Sequence, residues 1–241
     1  MNLLESILTG KKQRPRIVTL YGVPGIGKST WASQSPSPIF IQTETGLDDI
    51  GAPRFPVCTE LPHVMQCVEA LKGEHEYKTV VLDSLSALEP MLWRHVCRNA
   101  GKKSIEDFGY GKGYIVALDA WREVITALDS LHARGMNIIV IGHSKITRFN
   151  DPEGDGFDFY DLDIHKHASQ AVFRWSDEVL FANYKVLKSS TGEGLKKRTI
   201  AIDADRVLHT LESPAFKAKN RLGMPPSIPF TYEAYAQYLN R

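Results

Sequence analysis

Short, continuous apolar runs dominate the hydrophobic pattern of the chain. Four of them, Ile17–Tyr21, Ile39–Gln42, Thr79–Leu82 and Ile138–Ile141, are rich in Val and Ile and show no alternation with polar residues. Such runs are typical of strands buried on both faces of a parallel sheet. A fifth β-type run follows at Glu178–Tyr184. The pattern therefore predicts at least five strands.

Helical patterns lie between these runs. Two sets of apolar residues recur at helical spacing, namely Val64, Cys67, Val68 and Leu71, and then Leu118, Trp121, Ile125 and Leu128. Gly135 suits the left-handed cap that ends the second helix. Strands that alternate with helices predict βαβ units. We therefore expect an α/β fold with a mostly parallel sheet flanked by helices.

The pattern changes after Tyr184. Tyr184–Lys188 and Lys197–Ile202 flank a Ser-Ser-Thr-Gly-Glu-Gly turn, which predicts a hairpin at an antiparallel C-terminal edge. Arg206–Leu211 is a candidate further strand, and a short helix is expected at Thr231–Asn240.

Length and composition indicate one domain. The chain has 241 residues, of which 43% are hydrophobic, and the last part is too short to bury much surface alone. We expect a single domain over residues 1–241, with an N-terminal segment (1–15), a core (16–184) and a C-terminal hairpin and tail (185–241).

Cysteine spacing and hydropathy argue against several classes of protein, whereas charge does not. With 29 Lys+Arg against 28 Asp+Glu, the charge balance neither supports nor excludes nucleic acid as a partner. The 3 cysteines have no CxxC spacing, so neither a disulfide framework nor a zinc site is expected. The N-terminus does not fit a signal peptide, and no apolar run approaches the roughly 18 residues that span a bilayer. We expect a cytoplasmic protein without a membrane partner.

The first predicted strand leads into a complete G-x-x-x-x-G-K-[ST] pattern. Backbone N–H groups of such a turn bind phosphates, Lys28 would reach the β- and γ-phosphates, and the Ser29 hydroxyl would coordinate Mg²⁺. The sequence therefore predicts an ATP–Mg²⁺ site. Its residues are Gly22, Val23, Pro24, Gly25, Ile26, Gly27, Lys28, Ser29 and Thr30.

Asp83 directly follows the buried run Thr79–Leu82. A carboxylate at the end of such a strand is the usual position of the acid that helps to hold Mg²⁺ in P-loop proteins. Ser29 and Asp83 are thus the predicted magnesium residues.

Two further strand ends resemble those of RecA-like ATPases. The stretch Ile39–Leu47 is similar to the element whose glutamate activates the attacking water, so the resemblance implies that Glu44 is the general base. The strand Ile138–Ile141 is followed by His143, at the position where RecA-like proteins place a Gln or His that senses the γ-phosphate.

The segment Ala218–Gly223 resembles the K-N-R-x-G element of RadA-type recombinases and the K-x-R finger of DnaB-type helicases. In those families the basic residues reach the nucleotide of a neighbouring subunit. The resemblance therefore implies that Lys219 and Arg221 act in trans, within a homo-oligomer.

The whole chain resembles compact phage-encoded RecA-core ATPases, some of which are Sak-type single-strand annealing factors. The resemblance covers Tyr21–Thr30, Glu44–Leu47, Val80–Leu88, Phe108–Tyr114, Ile141–Lys145 and Leu211–Pro226. It implies ATP-dependent binding of single-stranded DNA in annealing or recombination, in the host cytoplasm. A single-strand DNA-binding protein is an implied partner.

In RecA-like proteins the DNA-binding loops follow the strands that end here at Asp83 and His143. The matching segments are Asn99–Lys112 and Lys145–Lys166, and both are predicted to be mobile. The first combines lysines with aromatic residues. The second also carries six carboxylates, which would repel phosphates unless they face away from them.

Two other functions remain open at this stage. A nucleotide-gated assembly or loader ATPase would use the same residues, with ATP controlling oligomerisation. A P-loop nucleotide kinase is a further alternative, although the chain shows no lid with several arginines.

Overall fold

The computed structural model describes residues 3–7, 9–10, 13–149, 156–185, 187–191, 198–202 and 205–239. The strands are β1 (Ile17–Gly22), β2 (Pro38–Gln42), β3 (Thr79–Asp83), β4 (Asn137–Phe149), β5 (Phe157–Leu162), β6 (Glu178–Tyr184), β7 (Leu187–Thr191), β8 (Arg198–Ile202), β9 (Arg206–His209) and β10 (Ser227–Pro229). The α-helices are α1 (Lys28–Ser33), α2 (Leu61–Ala70), α3 (Leu85–Asn99), α4 (Lys112–His132), α5 (Lys166–Trp175) and α6 (Tyr232–Ala236).

Eight strands form one sheet in the order β10-β9-β6-β1-β4-β3-β2, with β5 paired to β4. Strands β6, β1, β4, β3 and β2 are parallel, and β9 and β10 extend the β6 side antiparallel. The carboxyl ends of the parallel strands therefore meet at one edge, which we call the carboxyl edge. The predicted α/β fold, a mostly parallel sheet with antiparallel C-terminal strands, is confirmed.

The continuous apolar runs form these central strands because both faces of the sheet are covered. Every residue of β1 and β3 is buried. On one face, α2 to α5 pack a core that includes Leu88 and Trp121. On the other face, α1 and α6 contribute Trp31 and Tyr235 to a second core. The result is a three-layer arrangement.

The segment Lys145–Lys166 differs from the predicted mobile connection. β4 continues to Phe149, and β5 returns antiparallel to it, with Ser144 opposite Leu162. α5 then begins at Lys166. The abundance of Asp, Glu and Gly in this segment concealed the hairpin in the sequence. Residues 150–155 lie outside the described residues.

The segment Asn99–Lys112 is also more regular than predicted. α3 extends to Asn99, a 3-10 turn covers Ile105–Phe108, and α4 begins at Lys112. Ser104 and Asp107 form a capping box at the start of the 3-10 turn, which satisfies backbone donors that would otherwise be free.

The predicted hairpin after Tyr184 is present but shifted. Tyr184 ends β6, while β7 and β8 form a separate two-stranded sheet in which Leu187 faces Ile202. The predicted turn covers residues 189–194, but residues 189–191 belong to β7. Residues 192–197 lie outside the described residues. The C-terminal edge of the main sheet is built instead by β9, within the predicted Arg206–Leu211, and by β10, which the prolines around it concealed.

Candidate functional site

The turn between β1 and α1 is shaped by its glycines. A Cβ atom on Gly22 would lie 2.2 Å from the carbonyl oxygen of Ala182 on β6, so no larger residue fits. Gly27 has a φ angle of 101° just before α1, a conformation that other residues rarely adopt. Ile26 is fully buried in the core and anchors the turn.

Lys28 lies across this turn. Its Nζ atom donates to the carbonyl oxygens of Gly22, at 3.0 Å, and Val23, at 3.1 Å. Burial lowers the pKa of Lys28, while the carboxylates of Asp83 and Glu44 act in the opposite direction. A buried ammonium with neutral partners is well suited to bind an anion.

Ser29 and Asp83 meet below Lys28. The Ser29 hydroxyl donates to Oδ2 of Asp83 at 2.6 Å. Burial raises the pKa of Asp83, and the hydrogen bond from Ser29 partly offsets this rise. A second positive charge close to Asp83 would relieve the cost of burying its carboxylate.

These two oxygens fit Mg²⁺. The ion prefers oxygen ligands and is usually bound through one or two carboxylates together with phosphate oxygens of the substrate. Within the described ranges, no cluster of three or more His, Cys, Asp or Glu residues is able to hold a metal ion by itself. Phosphate oxygens would therefore have to complete the shell around Ser29 and Asp83.

Glu44 and His143 form a second polar pair. Nε2 of His143 lies 3.0 Å from Oε1 of Glu44, and both side chains are about one-third exposed. This hydrogen bond is the main reason why the pKa of Glu44 lies below its usual value. The His143 backbone N–H donates to Oγ of Ser86 at 3.0 Å, which fixes the strand end.

Thr43 connects the strand ends that carry Glu44 and Asp83, although no pattern in the sequence marks it as a site residue. Its hydroxyl donates to the carbonyl of Ser84 at 2.7 Å and accepts from the Ser84 N–H at 2.8 Å. Its own N–H donates to the carbonyl of Asp83 at 2.7 Å. Thr43 therefore fixes the position of Glu44 relative to Asp83.

Together these groups surround a cavity of about 340 Å³ at the carboxyl edge. Of the predicted phosphate-binding residues, Gly25, Gly27, Lys28, Ser29 and Thr30 line the cavity, together with Glu44, Asp83 and His143. Val23 contributes its carbonyl to Lys28, and Pro24 lies exposed on the outside of the turn.

Lys219 and Arg221 lie at the opposite edge of the sheet. Nζ of Lys219 donates to the carbonyl of Ser176 at 2.6 Å and to that of Phe173 at 3.2 Å. Nη1 of Arg221 donates to Asp177 at 3.1 Å. Asp177 sits beside the first residue of the six-residue strand β1, so about 16 Å separate it from the phosphate-binding turn.

Arg206, on β9, contacts the phosphate-binding turn. Its Nη1 atom donates to the carbonyl of Ile26 at 3.1 Å. The contact joins residues 180 positions apart. No local motif predicts such a contact.

Comparisons with known proteins agree with this geometry. The sequence model of the AAA domain family (AAA_24) matches residues 14–222. The SPbeta prophage-derived uncharacterized protein YorG of Bacillus subtilis (strain 168) is 24% identical over 193 residues, which cover 73% of this chain and 55% of YorG. The chain thus spans only about half of that relative.

The solved structure of a recombinase shares the fold. The RadB recombinase has a TM-score of 0.50 at 13% identity, covering 97% of this chain and 95% of that one. The flagellar accessory protein FlaH of Methanocaldococcus jannaschii has a TM-score of 0.45 at 10% identity, covering 94% and 89%.

No helix among the described residues is long and apolar enough to cross a membrane. The match to residues 14–222 covers most of the chain, and the P-loop turn lies within it. The chain therefore belongs to the AAA domain family, as a P-loop protein with a RecA-like fold.

Proposed function

We propose that this protein binds ATP with Mg²⁺ at the carboxyl edge, hydrolyses it, and acts on single-stranded DNA in recombination or annealing. One observation carries the nucleotide part of the proposal. A phosphate-binding turn, a magnesium pair and a carboxylate line a single cavity, and they come from three separate segments of the chain.

Each group has a distinct role in this proposal. Lys28 exchanges its two carbonyl partners for the β- and γ-phosphates. Ser29 and Asp83 hold Mg²⁺, which neutralises charge on the phosphate oxygens when bound. Glu44 accepts a proton from the attacking water while the water oxygen bonds to the γ-phosphorus and the bond to the ADP oxygen breaks.

His143 is the proposed sensor of the γ-phosphate. In the structure its Nε2 atom is engaged with Glu44, so a phosphate oxygen would compete for the same proton. Because His143 lies on β4, which continues into the β4–β5 hairpin, a change at this side chain acts directly on the hairpin.

The segment Asn99–Lys112 is the proposed DNA contact. Lys102, Lys103 and Lys112 are exposed, and none forms an ion pair with another described residue. Tyr110 is fully exposed and has a φ angle of 48°, a conformation that costs energy for a residue other than glycine. Free cations beside an exposed ring suit a single strand, whose phosphates and bases they bind together.

This segment lies on the same edge as the nucleotide cavity. Tyr114, just beyond it, stacks on His165 with ring centroids 4.2 Å apart. Asp163, two residues before His165, donates its backbone N–H to the carbonyl of His143 at 2.9 Å. ATP and DNA would therefore bind to connected parts of the chain.

The β4–β5 hairpin is a weaker candidate for DNA contact. Its described carboxylates face cations of the chain itself: Asp158 lies 3.4 Å from Arg148, Asp163 lies 3.5 Å from Lys145, and Asp161 lies 3.8 Å from Lys217. These pairs offset the charges of the three described carboxylates, but they also occupy the basic groups.

We also propose that Lys219 and Arg221 serve a neighbouring copy, within a single-domain chain. The distance to their own cavity prevents a contact in cis. Arg221 is 53% exposed and is able to exchange Asp177 for a phosphate. Lys219 has several carbonyl partners in its own chain, so its first task is to hold the segment that presents Arg221.

The test is to measure ATP binding, ATP hydrolysis and single-stranded DNA binding on the full chain and on Lys28→Ala. We expect the variant to lose ATP binding or hydrolysis and the original chain to bind DNA in a salt-dependent manner. Unchanged turnover in Lys28→Ala would reject the nucleotide site. Hydrolysis without DNA binding at low salt would favour the assembly or loader function instead.

A further inference from the structure

The groups of the nucleotide site lie on one side of β1. Asp83 ends β3, Glu44 follows β2 and His143 lies on β4, and all three strands are on the same side of β1 in the sheet. These groups suit Mg²⁺ and the terminal phosphate, so the space on the other side of β1, next to β6 and β9, is left for the other end of a nucleotide.

A second cavity lies in that direction. It measures about 570 Å³ and is lined by residues of β9, β10 and their flanks, including Lys185, Asp205, Arg206, Ser227 and Phe230. Its volume is within the range usual for small-molecule sites. Lys185, Asp205 and Arg206 are exposed, so the cavity opens to solvent.

Arg206 forms the wall between the two cavities. A Cβ atom on Gly27, which lines the phosphate cavity, would lie only 3.0 Å from Nη1 of Arg206. The same nitrogen donates to Ile26 at 3.1 Å. The guanidinium is therefore held in place at the edge of the phosphate-binding turn.

The guanidinium of Arg206 also lies over an aromatic ring. Cζ of Arg206 lies 5.9 Å from the ring centroid of Phe230, and the Phe230 N–H donates to the Arg206 carbonyl at 3.2 Å. Phe230 is only 6% exposed, so it supports Arg206 from within the core. Guanidinium groups are planar and stack on aromatic faces, and Arg206 lines the second cavity, within reach of a base bound there.

We propose that Arg206 and the cavity beside it bind the nucleoside end of the nucleotide, with the base stacked on the guanidinium. The ligand class is the ribose and planar base of a nucleoside triphosphate whose phosphates lie on Lys28. This inference rests on the proposed ATP site, and it adds a positioning residue from the C-terminal edge of the same chain.

The experiment compares the affinities of ATP and of inorganic tripolyphosphate, both with Mg²⁺, for the full chain and three variants. Arg206→Ala removes the guanidinium. Arg206→Lys retains the charge and a donor for Ile26 but has no planar face. Arg122→Ala, an exposed arginine on α4 that pairs with Asp119, is the matched control.

We expect both Arg206 variants to bind ATP about tenfold more weakly, the typical loss when one stacked base loses its partner. Tripolyphosphate should bind to Arg206→Lys within about twofold of the original chain, since phosphate contacts remain. Arg122→Ala should match the original chain with both ligands.

Two results would overturn the inference. One is ATP affinity unchanged in both variants. The other is an equal loss of ATP and tripolyphosphate in Arg206→Lys, which would mean that Arg206 only holds the turn. Binding of ATP without hydrolysis or DNA binding would reject the proposed function alone, whereas a full chain that binds neither ligand would reject both.

Discussion

Nε2 of His143 and Oε1 of Glu44 lie 3.0 Å apart, although β3 separates the strands β4 and β2 that carry them. The pair therefore lies over the carboxyl end of β3, next to Asp83 and Ser84. The proposed base and the proposed phosphate sensor are thus one hydrogen-bonded unit before any nucleotide binds.

This pairing predicts a pH effect. The bond from His143 lowers the pKa of Glu44, and the base must be ionised to accept a proton. In His143→Ala the pKa of Glu44 should rise, so the acid limb of the kcat/KM profile for ATP hydrolysis should move to higher pH. We also expect kcat to fall by about 10². A limb at the same pH as in the original chain would show that the pair does not set the ionisation of Glu44.

Asp83→Asn should raise the thermal stability of the nucleotide-free chain and weaken its binding of Mg²⁺. Burial raises the pKa of Asp83 in the folded chain. The charged carboxylate therefore lowers the free energy of unfolding once the pH rises above the pKa that Asp83 has in the unfolded chain. The nucleotide-free variant should therefore unfold at a higher temperature than the original chain at neutral pH, with a smaller difference in acid. Its affinity for Mg²⁺ in the presence of ATP should fall by about a hundredfold.

Thermal scans at two pH values and a Mg²⁺ titration measure both effects. Asp119→Asn, an exposed acid on α4, is the control for loss of a carboxylate. Retained Mg²⁺ affinity in Asp83→Asn would remove Asp83 from the magnesium site.

Substitutions of Lys219 and Arg221, which lie at the sheet edge opposite the nucleotide cavity, should have different effects. Lys219→Ala loses hydrogen bonds to backbone carbonyls near the end of α5, so its unfolding free energy should fall by about 2 kcal/mol. Arg221→Ala should retain ATP binding but hydrolyse about 10³-fold more slowly, as expected for a lost arginine finger.

Mixing Arg221→Ala with Lys28→Ala distinguishes action in trans from action in cis. Part of the turnover should return, because mixed oligomers contain sites with both an intact Lys28 and a neighbouring intact Arg221. An active monomer, or a mixture no more active than its parts, would contradict the trans role.

The proposed DNA contact at Asn99–Lys112 predicts two different effects on DNA binding. Tyr110→Ala should weaken binding of single-stranded DNA by about tenfold without changing its salt dependence, because stacking carries no charge. Lys103→Ala should lower the slope of log affinity against log salt by about 0.7. Lys72→Ala, a lysine paired with Glu69 on the surface, should change neither quantity. Equal behaviour of all three variants would place the DNA elsewhere.

The strand ends were predictable from the sequence because each is marked locally. The run that ends at Asp83 is continuously apolar, and the turn before Lys28 matches a pattern in which every fixed position is constrained by backbone geometry. Parallel strands bring such ends to one edge, so the positions of Glu44 and His143 in the cavity followed from topology.

Other features depend on contacts between distant segments and were not predictable. Arg206 reaches the phosphate-binding turn only because β9 joins the sheet beside β6. The bonds of Thr43 to Ser84 likewise depend on the register of β2 and β3. The ion pair between Asp161 and Lys217 also joins distant segments, so composition alone did not reveal that this carboxylate has a cation beside it.

The most direct test of the central claim is the rate of Mg²⁺-dependent ATP hydrolysis by the full chain, with and without single-stranded DNA, beside Glu44→Gln. We predict hydrolysis that DNA accelerates, and in Glu44→Gln a rate at least about 10² lower with ATP binding retained. A full chain that binds ATP but hydrolyses it no faster than Glu44→Gln, with DNA or without, would contradict the account.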